Sequence, residues 1–123
     1  MPVTYEILSD LVVFTASGRT TDGDFRRAME KAVADTRFVK GSKILTYDIE
    51  SAFEPSTADP RQAAVTINAF MEYFAPRVAV VVHQRASIGL GKMIQKQCEE
   101  FGIEFEVFSD PGAAKEWLYP GGF

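Results

Sequence analysis

Hydrophobic and polar positions follow two periods along the chain, which predicts short strands interleaved with helices. Apolar runs, continuous or alternating with polar residues, predict five strands at residues 4–9, 11–17, 44–48, 77–82 and 103–108. Between these runs, apolar residues recur every three or four positions, which indicates helices with one buried face. The four predicted helices begin near Thr21, Asp59, Ser87 and Asp110, each a residue type that caps helices.

The order of these elements, β-β-α-β-α-β-α-β-α, predicts an α/β fold. Strands that alternate with helices pair in parallel through right-handed crossovers. We therefore expect a mostly parallel central sheet of about five strands, with an antiparallel first strand and about four helices. The apolar run at residues 78–82 predicts a central strand buried on both faces. Glu104 and Glu106 alternate with apolar residues in the last strand, which indicates an edge position.

A single domain is predicted at residues 1–118, followed by a C-terminal tail at residues 119–123. A chain of 123 residues fits one domain, and 46% hydrophobic and 24% charged residues are ordinary globular values. Residues 49–58 are predicted to form a loop within this domain. No repeat or linker divides the sequence.

Charge and composition argue against several classes of protein. Seventeen acidic and thirteen basic residues give a net charge of −4, with both signs interspersed. Nucleic-acid binders need a concentrated basic face, so no nucleic-acid partner is expected. The longest apolar stretch is too short to cross a bilayer, so we expect no membrane insertion and a cytoplasmic location. Cys98 is the only cysteine, which excludes an intrachain disulfide.

Three segments of the second half share a pattern with a known family. They are the valine-rich strand at 77–82, ASIGLGKM at 86–93 and FEVFSDPGAAKEWL at 105–118. A valine-rich strand, a helix that opens with Gly-hydrophobic-Gly-basic-Met, and a final strand followed by a helix ending in Trp-Leu resemble the SpoIIAA-like, STAS-type domains of bacteria. Looser matches at 11–18 and 44–48 extend the resemblance over nearly the whole chain. The resemblance implies a βα superhelix around a central sheet.

The same resemblance implies a regulatory or protein-interaction role without catalysis. Members of the family include anti-anti-sigma factors and cytoplasmic domains of anion transporters. The anti-anti-sigma members carry an Asp-Ser-Ser/Thr-Gly stretch after the third strand, and its serine is phosphorylated. Residues 48–59 contain Ser51 and Ser56 but neither that motif nor its glycine, so no phospho-switch is expected.

A candidate anion site is predicted at the carboxyl ends of the strands, where open α/β sheets place their ligand crevices. The only histidine follows the central strand, and two helix N-termini point to the same place with free N–H groups. The residues expected there are Arg19, Thr20, His83, Arg85 and Ser87. The alternative interpretation is that these are solvated loop residues.

No catalytic, metal or cofactor site is predicted. One histidine and one cysteine do not provide the spacing of a zinc site. Cys98 lies on the inward face of the third helix with Leu90, Met93 and Ile94, which is typical of a small buried hydrophobe. Residues 87–92 lack the Gly-Lys-Ser/Thr ending of a phosphate loop, and Gly89 and Gly91 are expected instead to let the helix approach the sheet closely. We therefore expect a protein that is not an enzyme and uses no cofactor.

A candidate partner surface lies on the second helix. Behind its core face, Val65, Ala69 and Tyr73 form an apolar stripe at i, i+4 and i+8, and Phe53 in the preceding loop extends it. An exposed stripe of this kind indicates a contact. We expect a homodimer in which the stripe meets its own copy, with another protein as the alternative partner.

Two hypotheses about function stay open. The first is a non-catalytic regulatory or interaction module. The second is a small-ligand binder that takes either an anion in the His83–Arg85 crevice or a lipophilic molecule under the Phe53 loop. The lipophilic version rests on analogy with CRAL-TRIO lipid-transfer proteins, which share this broad topology.

Overall fold

The computed structural model describes residues 3–53, 59–83 and 85–121, and the side chains of these residues except 18, 19, 49–53 and 85–87. Strands β1 to β5 span Val3–Leu8, Leu11–Thr20, Ser42–Phe53, Phe74–Val82 and Glu104–Phe108. Helices α1 to α4 span Asp22–Ala34, Pro60–Ala69, Arg85–Glu99 and Pro111–Leu118. Every predicted element is present, in the predicted order.

The strands form a mixed sheet in the order β1-β2-β3-β4-β5. Strand β1 runs antiparallel to β2, and the other neighbours pair in parallel. Strand β4 lies between β3 and β5, and Val78, Ala79, Val81 and Val82 are all buried, as expected for an interior strand. The predicted fold class, the antiparallel first strand and the edge position of β5 are therefore confirmed.

The two faces of the sheet are covered unequally. Helices α1, α2 and α3 pack on one face, where Phe14, Ile44 and Val78 meet buried residues such as Met29 and Cys98. Helix α4 packs on the other face, against residues that include Leu11, Leu45 and Val81. No helix in the described part of the chain is both long enough and apolar enough to cross a membrane.

Strand β3 is longer than predicted. Residues 49–53 belong to the strand, so the predicted loop at 49–58 is wrong for its first half, and residues 54–58 lie outside the described residues. The register shifts between Ala16 and Gly18, after which Gly18 to Thr20 pair with Ser51 to Phe53. The β2–β3 pair therefore continues past the end of β4, whose last pairing joins Val82 to Asp48.

Helix α2 ends before the predicted stripe from Val65 to Tyr73 is complete, because the chain turns at Phe70. The N–H of Phe70 donates to the carbonyl of Ile67 and that of Tyr73 to the carbonyl of Phe70, which is the spacing of turns. This turn places Phe74 in the core, where its side chain is 3% exposed. Its ring centroid lies 5.2 Å from that of Phe38, nearly edge-to-face. Tyr73 therefore lies in a turn, and the prediction of a helical stripe through i+8 is wrong at that position.

The inward face of α3 is rotated relative to the predicted one. Leu90, Ile94 and Cys98 are buried or half-buried as expected, but Met93 is 58% exposed. Gly91 occupies the contact face instead, directly against Val107 of β5. The inward position of Met93 is therefore wrong, whereas the expected close approach of the helix to the sheet is confirmed at Gly91 but not at Gly89, where an added Cβ meets nothing within 4 Å.

Candidate functional site

A cavity of about 420 Å³ lies between the sheet and the three helices of its more fully covered face. Its floor is built by alternate residues of neighbouring strands, because side chains two apart in a strand share a face. Phe14, Ile44, Thr46, Asp48, Val78, Val80, Val82 and Phe105 form this floor. Protein interiors leave few voids larger than a water molecule, so an apolar space of this size is a candidate binding site.

The walls of the cavity come from all three helices. Phe25 and Met29 of α1, Ala63 and Ile67 of α2, and Leu90, Gly91 and Ile94 of α3 face it. These side chains are apolar or small. The cavity therefore offers a ligand a mainly hydrophobic surface.

A partly buried hydrogen bond joins two of these walls. Thr66 of α2 is 2% exposed, and its hydroxyl donates to Asp22 Oδ2 at the start of α1 over 2.7 Å. Both residues line the cavity. A hydrogen bond to a charged group contributes about 1.5–3 kcal/mol, so this contact fixes the spacing of the two helices at the cavity.

Two oxygen atoms of residues that line the cavity have no hydrogen-bond partner in the described part of the chain. They are Thr20 Oγ1 and Asp48 Oδ1, and both atoms are buried. Thr20 is 3% exposed as a residue, whereas Asp48 as a whole is half-buried. A buried polar atom without a partner costs free energy, and in native proteins it commonly marks a bound water, ion or ligand.

The polar side chains that begin α1 and α2 at the cavity already have partners. Thr21 caps α1: its Oγ1 accepts from the Asp24 N–H, and Asp24 Oδ2 accepts from the Thr21 N–H. Asp59 caps α2 by accepting from the Arg61 N–H over 3.0 Å. The N-termini of α1 and α2 are thus capped by side chains of the protein itself.

The structure describes the side chains of two of the five residues in the predicted anion crevice. Thr20 lines the cavity, whereas the side chain of His83, just after β4, is exposed. The side chains of Arg19, Arg85 and Ser87 lie outside the described residues. A crevice formed by all five residues therefore stays a prediction; of the two whose side chains are described, Thr20 lines the cavity.

Asp48 is the charged residue in the floor of the cavity, and it was not among the site residues predicted from the sequence. Asp48 closes the predicted strand 44–48, two positions after Thr46 and four after Ile44, so all three share a face. That face packs against α1, α2 and α3. The available signal was that Asp48 ends a series of residues on the inward face of the strand. The sequence interpretation treated Asp48 only as the last residue before a loop.

The predicted partner surface is exposed where the structure describes it. Val65 is 39% and Tyr73 37% exposed, and Ala69 is exposed as well. Tyr73 packs its ring on Phe70, with 6.5 Å between centroids, after the helix has ended. The side chain of Phe53 lies outside the described residues. The surface therefore follows the outer side of α2 and continues into the turn after it.

Cys98 is fully buried on the inward face of α3. Burial raises the pKa of the Cys98 thiol to about 11, because the apolar surroundings disfavour the thiolate. Among the described residues, no group of three or more His, Cys, Asp or Glu side chains is placed to hold a metal ion.

Comparison with known proteins supports the fold assignment. No family model matches the chain, and no curated protein of similar sequence was found. Among solved structures, the chain is similar to an uncharacterised protein of the DUF3478 family from Shewanella loihica PV-4, which has a SpoIIAA-like fold. The two are 20% identical in sequence, the match covers 94% of this chain and 91% of the other, and the TM-score is 0.60. The chain therefore has a SpoIIAA-like fold.

Proposed function

We propose that this chain is a non-catalytic module that binds a small lipophilic molecule between its sheet and helices α1, α2 and α3. The observation that carries the proposal is the cavity of about 420 Å³, whose size lies in the range of small-molecule sites. Its lining is mainly apolar, with a few polar groups toward the carboxyl ends of the strands. Apolar walls supply affinity, and sparse polar groups orient a ligand.

The lining also supports binding without chemistry. The described residues of the lining include no histidine, cysteine, lysine or serine, and its hydroxyl groups all belong to threonines. Nucleophilic catalysis needs an activated nucleophile beside a base, and a threonine with an aspartate alone is a poor candidate. A regulatory role fits this picture, since a bound ligand would fix the relative positions of three helices.

Binding of an uncharged apolar probe tests the proposal. N-phenylnaphthylamine should gain fluorescence on the protein, with one saturable site per chain and a Kd of about 10 µM or tighter. Decanol should displace the probe, and it should raise the melting temperature because it binds only the folded state. A fluorescence signal that grows without saturation, or that decanol does not displace, would contradict the proposal.

We propose in addition that the surface formed by Val65, Ala69 and Tyr73 mediates a homodimer. The observation in its favour is that all three apolar side chains are exposed in the single chain. Two-fold contacts bring the same patch of each subunit together, so a new charge there is placed near its own copy.

Replacing Ala69 by glutamate should therefore convert a dimer to a monomer without unfolding it. Sedimentation velocity at micromolar concentration measures the change, and circular dichroism checks the fold. Asn68→Glu adds the same charge at the next exposed position of α2 and should leave the dimer intact. A monomeric unmodified protein at high concentration would rule out this interface.

A further inference from the structure

We infer that the polar end of the bound ligand is a hydrogen-bond donor, best a primary ammonium group, and that Asp48 receives it. This inference rests on the proposed function and deepens it, because it specifies the chemical class of the lipophilic molecule. A long-chain amine is the simplest member of that class. A fatty acid of the same length is the class that the site disfavours.

The first argument is the sign of the charges that line the cavity. The charged side chains of the described lining are Asp22, Asp48 and Asp59, and the described lining contains no lysine, arginine or histidine. A carboxylate ligand would bring a fourth negative charge into an apolar space, where like charges repel strongly. An ammonium group would instead be attracted by all three.

The second argument is that only one of these carboxylates has a buried oxygen without a partner. Asp22 accepts from Thr66, and Asp59 accepts from the N–H of Arg61 at its helix cap. Asp48 Oδ1 is buried and has no partner among the described residues. A carboxylate oxygen can only accept, so the missing partner is a donor.

The third argument is an independent unpartnered group in the same cavity. Thr20 lines the cavity and is only 3% exposed. Its Oγ1 atom has no hydrogen-bond partner among the described residues. A hydroxyl can donate or accept, so Thr20 does not decide the sign of the ligand. It does show that the cavity carries more hydrogen-bonding capacity than the protein itself satisfies.

The backbone dipoles of α1 and α2 do not reverse this preference. Helix N-termini attract anions, and α1 and α2 both begin at the cavity. Their first turns are already capped, by Thr21 with Asp24 and by Asp59. These side chains neutralise the ends that would otherwise hold a ligand carboxylate.

The test compares three probes with the same chain and different ends: decylamine, decanol and decanoate. Each of the three compounds is titrated against protein-bound N-phenylnaphthylamine at physiological salt. The concentration of each compound stays below that at which it forms micelles. Decylamine is protonated near neutral pH, as a lysine side chain is, and should bind at least about tenfold more tightly than decanoate. Decanol should lie between the two.

Two variants test whether Asp48 causes the tighter binding of decylamine. Asp48→Asn removes the charge but keeps the shape, and it should bring decylamine within about threefold of decanol, because the charged hydrogen bond is lost. Asp110→Asn makes the same change at the cap of α4, on the other face of the sheet, where asparagine also caps. It should leave all three affinities unchanged, which controls for simple attraction to a chain of net charge −4.

The outcomes distinguish failure of the inference from failure of the proposed function. Equal affinity for the three probes, or the tightest binding by decanoate, overturns the inference while the lipophilic site stands. Tight decanoate binding would instead support the anion site predicted with Arg19 and Arg85. An unchanged decylamine preference in Asp48→Asn also overturns the inference. Saturable binding of none of the probes removes both the function and the inference. The ranking on the unmodified protein needs no variant to fold.

Discussion

Replacing Val80 by phenylalanine is expected to abolish binding of the apolar probe while leaving the stability of the protein nearly unchanged. Val80 lies in the middle of β4, paired with Thr46 on one side and Val107 on the other. Although its strand is interior, Val80 is only half-buried, because its side chain faces the cavity. A phenyl ring at this position therefore enters the space that the ligand would occupy.

The expected effect on stability follows from the same geometry. Extra carbon atoms in a packed core cost about 1–3 kcal/mol, but atoms that fill an existing void bury apolar area without displacing neighbours. We expect the free energy of unfolding of Val80→Phe to change by less than about 1 kcal/mol, and the affinity for decanol to fall at least about tenfold. Urea unfolding and probe displacement measure the two quantities.

The next residue of the strand provides the control. Val81 points to the opposite face, is 0% exposed, and packs in the core under α4. Val81→Phe should destabilise the protein by about 1–3 kcal/mol, because Val81 is fully buried among packed residues beneath α4. If both substitutions destabilise equally, the space at Val80 does not accept a side chain and the cavity cannot hold a ligand of this class.

The contrast between Val80 and Val81 also shows which features of the fold could be predicted from the sequence. The continuous valine run predicted an interior strand, and the structure confirms it. The run gave no indication that one face is tightly packed and the other open, because both faces require apolar residues. The distance between a sheet and its helices depends on which small residues lie at the contacts, and periodicity does not report that distance.

The missed site residue has a related cause. Asp48 and Thr46 were assigned to a strand correctly, but a carboxylate at the end of a strand resembles the start of a loop. The extension of β3 to Phe53 shows that the strand does not end there. Residues 49–53 are apolar, polar, polar, apolar and apolar in order, so no period of two indicated that the strand continues.

Helix α3 is a second element whose buried face differs from the predicted one. Its sequence has apolar residues at Leu90, Met93 and Ile94, which favoured an inward Met93. The structure turns the helix so that Gly91 contacts the sheet and Met93 is 58% exposed. The backbone of α3 therefore approaches β5 at the position where a side chain is missing.

Replacing Gly91 by alanine is expected to destabilise the protein by about 1–2 kcal/mol, although alanine is the better helix former. A Cβ atom at Gly91 would lie 2.8 Å from Val107 Cγ2, which is closer than two carbon atoms can approach without movement. Val107 is β-branched and stiff in its first torsion angle, so it cannot swing aside freely. The cost of overpacking, about 1–3 kcal/mol, exceeds the gain of up to about 1 kcal/mol in helix propensity.

Gly89, two residues earlier in the same helix, is the matched control. A Cβ atom there meets no other atom within 4 Å, and the position is exposed. Gly89→Ala should therefore stabilise the protein by about 0.5–1 kcal/mol, since only the propensity term remains. The two alanine substitutions change stability in opposite directions if Gly91 marks a close backbone contact.

Combining Gly91→Ala with Val107→Ala isolates the contact itself. Removing the two methyl groups of Val107 makes room for the new Cβ, so the double variant should be more stable than the sum of the single changes by about 1 kcal/mol or more. Urea unfolding of the four proteins of this cycle provides the coupling energy. A Gly91→Ala variant as stable as Gly89→Ala, or a cycle without coupling, would mean that α3 does not rest on Val107 and that the wall of the cavity lies farther from β5.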